Sequence, residues 1–326
     1  MTRHGPPIFV VGCPRSGTTL LRLMVDAHPE VAIPPESHFI PGVWRVRERY
    51  GSGAAFDAER MARDVFRTLR FQDWRLPPEG VLAQIRSSEP RDLPAAIEAF
   101  FIAYAKAHGK PRWGDKTPGY SIDMPLIAEL FPDARFLHLI RDGRNVALSL
   151  MEVPRPPRSF AEAAQVWKHR IDIARRDTAT LGDDAVLEVR YETLVEDPES
   201  VLKEVCVHAS LDFTPVMLDY HRAEVSSTVP ERNWGHHRNL AKPPTKGLRD
   251  WRAAMSDADQ MLFEAVAGDE LSALGYERRF ATIPASVRAR AAAALTLDGA
   301  RHRLRALRAT ASLARNPEAL PPPRRW

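Results

Sequence analysis

The sequence predicts an α/β domain of three layers: a central, mostly parallel sheet flanked by helices, P-loop-like in its opening turn. A helical insertion and a basic C-terminal helical tail complete it. Three observations carry this. Residues 7–11 are an apolar run that ends in the glycine-bracketed turn Gly12-Cys13-Pro14-Arg15-Ser16-Gly17, with Thr18 and Thr19 opening a helical pattern. Residues 135–140 form a continuous apolar run of the kind buried on both faces of a sheet, and it stops abruptly at Arg141-Asp142-Gly143-Arg144. Residues 185–189 repeat the pattern, closed by Arg190-Tyr191-Glu192. Strands that alternate with helices imply a layered parallel sheet.

The first turn carries an anion-binding signal. Gly12, Gly17 and Thr19 are spaced as in the phosphate-loop template, where backbone N–H groups and a helix N-terminus cradle an anion. The template lysine is replaced by Thr18, and the positive charge sits inside the loop as Arg15. Such a loop suits a phosphorylated nucleotide without a lysine reaching a γ-phosphate.

The remaining elements follow in order. Leu20, Leu21, Met24 and Val25 repeat at helical spacing until His28-Pro29 stops them. Val31-Ala32-Ile33 is a brief apolar run, after which Pro34-Pro35 forces an extended turn presenting Glu36-Ser37-His38. Residues 39–108 are amphipathic and helical, an insertion suited to act as a lid. Arg112-Trp113-Gly114-Asp115-Lys116-Thr117-Pro118 reads as a compact polar motif, and residues 120–131 return to helical spacing. Helices are expected over 145–151 and 160–181, and another begins at Asp197-Pro198, proline being tolerated in a first turn. Residues 222–248 read as an extended basic loop and 250–276 as helical. Residues 287–314 suggest a long exposed helix, with a disordered or polyproline-like end from Pro321 to Trp326. The domain is assigned to 1–283 and the arginine-rich tail to 284–326.

Composition narrows the class. The net charge of +4 is concentrated in residues 285–326, where nine arginines oppose Asp298 and Glu318, so the rest of the chain is net negative. A basic helix of this kind allows weak contact with an anionic surface, and nothing marks a specific nucleic-acid site. Two cysteines give neither a disulfide framework nor a metal knuckle, and no apolar stretch nears the roughly 20 residues of a membrane span. A cytoplasmic home and no metal are expected.

In parallel sheets, ligands gather beyond the carboxyl ends of strands. Arg15, Ser16, residues 141–144 and Tyr191 therefore become neighbours. Together the Pro14-Arg15-Ser16-Gly17-Thr18-Thr19 loop, Asp26-Ala27-His28-Pro29-Glu30-Val31, Glu36, and Leu139-Ile140-Arg141-Asp142-Gly143-Arg144 with Ser149 resemble the sulfotransferases that use 3′-phosphoadenosine-5′-phosphosulfate (PAPS). The likeness runs over about residues 7–276. It is nearest the bacterial branch and the tyrosylprotein sulfotransferases.

The resemblance implies that Pro14 and the loop from Arg15 to Thr19 hold the 5′-phosphosulfate, and that Arg141 and Ser149 hold the 3′-phosphate. Lys116 then lies near the bridging oxygen and Glu36 is the base for the acceptor hydroxyl, with His38 in reserve. Lys242, Lys246 and Gly247 resemble a basic-glycine loop that closes over the 3′-phosphate, and Tyr191 packs beneath the nucleotide or merely closes its strand. The product is 3′,5′-adenosine bisphosphate. The acceptor is a glycan, glycolipid, phenol, peptide tyrosine or secondary metabolite. Two other readings stay open: a P-loop kinase or NTPase, and a noncatalytic nucleotide-binding module that docks a partner through its tail. His138 reads as a core histidine and Cys13 as a small loop residue.

Overall fold

Five strands, β1 (Ile8–Gly12), β2 (Val31–Ala32), β3 (Arg112–Lys116), β4 (Arg135–Ile140) and β5 (Val186–Arg190), pair entirely in parallel in the order β2-β3-β1-β4-β5. The computed structural model describes residues 5–154, 156–182, 184–222, 238–244, 250–316 and 318–322. Register sets the site: Val10 lies opposite Lys116, Gly12 opposite Leu139, and Ile140 opposite Arg190. The loops after β1, β3, β4 and β5 thus leave the sheet along one edge.

Alternation through the pleat sends Phe9, Val11 and Phe136 into one core and Ile8, Val10, Leu137 and Leu139 into another. Each such side chain contributes roughly 1.5–3 kcal/mol on burial. Helices cover both faces. They are α1 (Thr18–Asp26), α2 (Ile40–Arg45), α3 (Ala58–Phe66), α4 (Leu69–Gln72), α5 (Pro78–Ser88), α6 (Leu93–Ala107), α7 (Met124–Leu130), α8 (Gly143–Met151), α9 (Phe160–Leu181), α10 (Tyr191–Glu196) and α11 (Pro198–His208). The insertion of residues 39–108 supplies α2–α6 and drives Phe39, Phe100 and Phe101 into the core beside Trp113, with Phe101 stacked on Trp113 at 4.6 Å.

One element differs from its sequence reading. Residues 112–116, read as a polar motif, form β3, and all five are buried between β2 and β1. Arg112 and Trp113 find polar partners on other parts of the chain. The Arg112 guanidinium donates to the Ala209 and Ser210 carbonyls at 2.7 Å, and Trp113 Nε1 donates to Glu98 Oε1 at 3.1 Å. Gly114 is required because a Cβ there would meet the Ile8 carbonyl at 2.6 Å. Polar composition and a glycine hide a strand whose partners only the fold supplies.

The helices Asp257–Ala273 and Ala285–Arg315 follow. The latter is not free in solvent: Ala291 is buried against Ala161 and Leu262, and Arg301 Nη1 donates to Glu162 Oε1 at 3.3 Å. The described end of the tail touches the domain, and residues 323–326 of the stretch expected to be disordered or polyproline-like lie outside the described residues. Arg45 Nη1 donates to the Pro322 carbonyl at 2.9 Å, and Leu320 packs against the core.

Candidate active site

The first turn is built for an anion. Ser16 N donates to the Cys13 carbonyl at 3.1 Å, Ser16 Oγ donates to the same carbonyl, and α1 begins at Thr18 with Gly17 as its cap. Gly17 has φ of +107°, and a Cβ there would strike the Tyr191 ring at 2.4 Å. The loop therefore lies directly on Tyr191, the first residue of α10. The Arg141 guanidinium stacks over the other reach of that ring, 4.1 Å from its centroid. Tyr191 thus joins the loop after β1 to the arginine after β4.

Arg15 holds φ of +74°, a conformation uncommon for a side chain with Cβ. Its Nε donates to Ser149 Oγ at 2.9 Å. Ser149, expected with Arg141 at the 3′-phosphate, is thus in contact with the loop arginine. Its hydroxyl keeps a proton to donate elsewhere.

The two arginines of the 141–144 motif have separate surroundings. Arg144 is buried, pairs with Asp142 at 2.8 Å and Glu264 at 3.2 Å, and lies 3.5 Å over the Trp251 ring. It fastens α8 to the helix Asp257–Ala273. Arg141 is buried at the end of β4 with its guanidinium over the Tyr191 ring.

Glu36 sits at the centre of a second group. Its Oε1 accepts from Lys116 Nζ at 2.9 Å, its Oε2 lies 2.8 Å from His38 Nε2, and Arg70 Nη1 stands 3.9 Å away. Lys116 Nζ also reaches Thr19 Oγ1 at 3.4 Å, which connects the phosphate loop to the carboxylate. Burial pushes the Glu36 carboxyl up, but Lys116, His38 and Arg70 together outweigh it and hold the group well below the usual carboxylate range. Burial lowers the Lys116 ammonium, and Glu36 restores part of that loss.

The Asp26–Val31 motif explains how Glu36 is aimed. Asp26 Oδ1 accepts from Ile33 N at 2.8 Å, Arg22 Nε donates to the Ile33 carbonyl at 2.9 Å, and His28 Nδ1 accepts from Glu30 N at 3.1 Å. These bonds fix the turn that leads into Pro34-Pro35. Ser37 N then donates to Thr117 Oγ1 at 3.0 Å, and Ser37 Oγ lies 2.8 Å from Tyr120 OH. Arg22, Tyr120 and Arg70 were not singled out from the sequence, and Thr117 was visible only as part of the 112–118 motif. Their signal is spatial, since each acts on a residue at least 11 positions away or from another element.

Lys242 is exposed, and its backbone carbonyl accepts from Tyr220 OH at 2.9 Å. Lys246 and Gly247 lie outside the described residues. Cys13 is buried, and burial pushes its thiol up to about 12, which leaves it unreactive. His138 is wholly buried in β4, its Nδ1 3.8 Å from Glu188 Oε1. Among the described residues, no group of three or more His, Cys, Asp or Glu is placed to hold a metal ion. None of the described helices is long and apolar enough to cross a membrane.

The profile of the sulfotransferase family matches residues 6–215, a span that holds the loop, Glu36, Lys116, Arg141, Ser149 and Tyr191. The chain belongs to the sulfotransferase family. It is 28% identical over 225 residues to the protein-tyrosine sulfotransferase of Drosophila melanogaster, covering 67% of this chain and 40% of that protein. It is 30% identical over 211 residues to protein-tyrosine sulfotransferase A of Caenorhabditis elegans, covering 62% and 49%. The chain thus spans about half the length or less of these two animal relatives. Nodulation protein NoeE of Sinorhizobium fredii is 27% identical over 309 residues, covering 85% of this chain and 68% of its own. Among solved structures, the sulfotransferase domain of the curacin biosynthetic pathway superposes with a TM-score of 0.58 at 22% identity, covering 85% of this chain and 99% of its own. The sulfotransferase domain of the Synechococcus PCC 7002 olefin synthase gives 0.57 at 24% identity, covering 85% and 98%. These two share the fold of this sulfotransferase. Family membership favours sulfuryl transfer over the kinase or NTPase reading of the loop.

Proposed function

We propose that this sulfotransferase moves a sulfuryl group from PAPS to an acceptor hydroxyl, with Glu36 as base. The observation that carries the reading is the contact chain Thr19–Lys116–Glu36, which puts the anion loop and a carboxylate on one lysine. The loop suits a phosphate because Gly17 lies against Tyr191 with no side chain between, and α1 begins at Thr18, just after Arg15, with no side-chain cap on its N-terminus. Pro14 and residues Arg15 to Thr19 would hold the 5′ end of the donor. Arg141, with Ser149 beside Arg15, would hold the 3′-phosphate, and Lys242 or the loop containing Lys246 and Gly247 would cover it.

Transfer forms a bond from the acceptor oxygen to sulfur as the bond from sulfur to the 5′-phosphate oxygen breaks. The acceptor proton passes to Glu36, and 3′,5′-adenosine bisphosphate leaves. Little covalent work falls to the protein in such a displacement, so positioning and charge dominate. Arg15 and Lys116 offset negative charge on the leaving oxygen. While Lys116 holds Glu36, the carboxylate is a weak base. A lysine drawn toward the donor releases that hold, which raises the proton affinity of Glu36 when the nucleotide is in place. Two free, buried cysteines suit a reducing compartment such as the cytoplasm.

The test is calorimetric titration with 3′,5′-adenosine bisphosphate, followed by labelled-PAPS transfer to acceptors in a cell extract. Saturable binding and a labelled product are expected. Absence of both sinks the proposal. Nucleotide binding that persists while Glu36→Gln changes no transfer would instead favour the noncatalytic module.

A further inference from the structure

The cavity in front of Glu36 encloses about 900 Å³, within the range of small-molecule sites. Glu36, His38 and Arg70 line it on one side, and Phe39, Tyr120 and Val166 give it apolar surface. One further wall comes from the arginine-rich helix and the tail, through Arg301, Arg305, Leu320 and Pro321. That wall lies beyond residue 215, where the family match ends, so this chain's own C-terminal segment shapes the cavity. The segment is anchored on both sides: by Arg301 on Glu162, and by Pro321, whose carbonyl would lie 3.1 Å from a Cβ on Gly42.

The charges lining this cavity are unequal in their surroundings. Arg70 stands between Glu36 at 3.9 Å and Asp73 at 3.8 Å, Arg301 is engaged by Glu162, and Arg170 Nη1 donates to the Gly119 carbonyl at 3.1 Å. Asp298 is matched by His302 Nδ1 at 3.2 Å. Arg158 and Arg305 line the same space with exposed side chains, and among the described residues neither guanidinium has a carboxylate within ion-pair distance. Two forked cations beside apolar surface form a receptor for an anion carried on an apolar body.

We propose that the acceptor is a small amphipathic hydroxyl compound bearing an anionic group, carboxylate or phosphate, held by Arg158 and Arg305 while its hydroxyl faces Glu36. This rests on the sulfotransferase reading and narrows its acceptor. The tail then acts as a specificity wall, and sulfation occurs at the end of the compound remote from its charge.

The test uses the full-length protein saturated with 3′,5′-adenosine bisphosphate and two fluorescent probes of nearly one shape. These are 1-anilinonaphthalene-8-sulfonate, which carries an anion, and neutral N-phenyl-1-naphthylamine. The anionic probe is expected to bind at least about tenfold more tightly, as a charge-assisted pair would give. The double variant Arg158→Ala/Arg305→Ala is expected to lose that advantage with neutral-probe binding unchanged, and Arg158→Lys/Arg305→Lys to keep most of it. Displacement by dodecanoate against dodecyl phosphate tells which anionic group is preferred. Equal binding of the two probes to the native protein, or a double variant that weakens both alike or neither, overturns the proposal. Nucleotide binding is measured first on the same sample. Its failure defeats the sulfotransferase reading, whereas intact nucleotide binding with unselective probes defeats the anion site alone.

Discussion

Lys116 Nζ lies 2.9 Å from Glu36 Oε1, with 7% and 24% of the two side chains exposed. This pair sits between the loop after β1 and the cavity that Glu36 lines, so under the proposed function it couples donor binding to the proton affinity of the base. Replacing Lys116 with Met removes the main cation holding Glu36 down. The carboxyl then rises toward or above its ordinary range under burial. The acid limb of the profile of kcat/KM against pH is expected to move to higher pH, and an unmoved limb would separate Glu36 from the rate.

Glu36→Gln keeps the size of the side chain and removes its ability to take a proton. Transfer is expected to fall roughly 10²–10⁴-fold, the usual contribution of a positioned base. Calorimetry with 3′,5′-adenosine bisphosphate should change little, because the carboxylate faces the cavity rather than the loop. A loss of nucleotide binding equal to the loss of rate would show a structural role instead.

Gly17→Ala places a Cβ 2.4 Å from the Tyr191 ring at a φ of +107°. Tyr191 must shift, and the Arg141 stack on it moves too. Nucleotide affinity is expected to drop by about tenfold or more, consistent with about 1–3 kcal/mol for a strained backbone position. Normal affinity in a folded Gly17→Ala protein would place the nucleotide elsewhere.

Asp115 is buried completely in β3, and burial pushes its carboxyl up to about 6 despite the nearby Ser37 and Thr117 hydroxyls. A raised carboxyl binds its proton more tightly when folded. The associated stability is full below the unfolded value of 3.8 and is lost as pH rises through about 6. At pH 8 the cost is on the order of 3 kcal/mol. Thermal unfolding of Asp115→Asn relative to the native protein should therefore be more favourable at pH 8 than at pH 5. The reverse order would mean that the aspartate is stabilised as an anion.

Arg144→Ala leaves Glu264, which has no exposed surface in its side chain, without its cation on α8. Breaking a buried pair of this kind costs about 3–5 kcal/mol. Urea unfolding should show a lower midpoint, and a change under about 1 kcal/mol would place the arginine in the surface class.

Much of the molecule is legible in its sequence where local physics dominates. The apolar runs of β1 and β4 and the periodic pattern of α9 over residues 160–181 match their elements closely. The glycine spacing of the loop is visible because the close approach to Tyr191 admits no other residue. β3 was not legible, since a strand of Arg, Trp, Gly, Asp and Lys carries no apolar alternation. Its arginine is satisfied by carbonyls about 100 positions away. The long exposed helix of the tail is legible too, but its anchor is not: Glu162, 139 residues earlier, receives Arg301.

The sequence by itself determined the layered parallel sheet, the anion loop with Arg15 in place of a lysine, and the family. These are written in short-range patterns of burial and backbone conformation. Tertiary structure alone decided that Lys116 bridges Thr19 and Glu36, that Ser149 meets Arg15, and that the C-terminal helix walls the cavity. Charge pairing depends on distance in space, and the register of β1 against β3 brings those partners within reach.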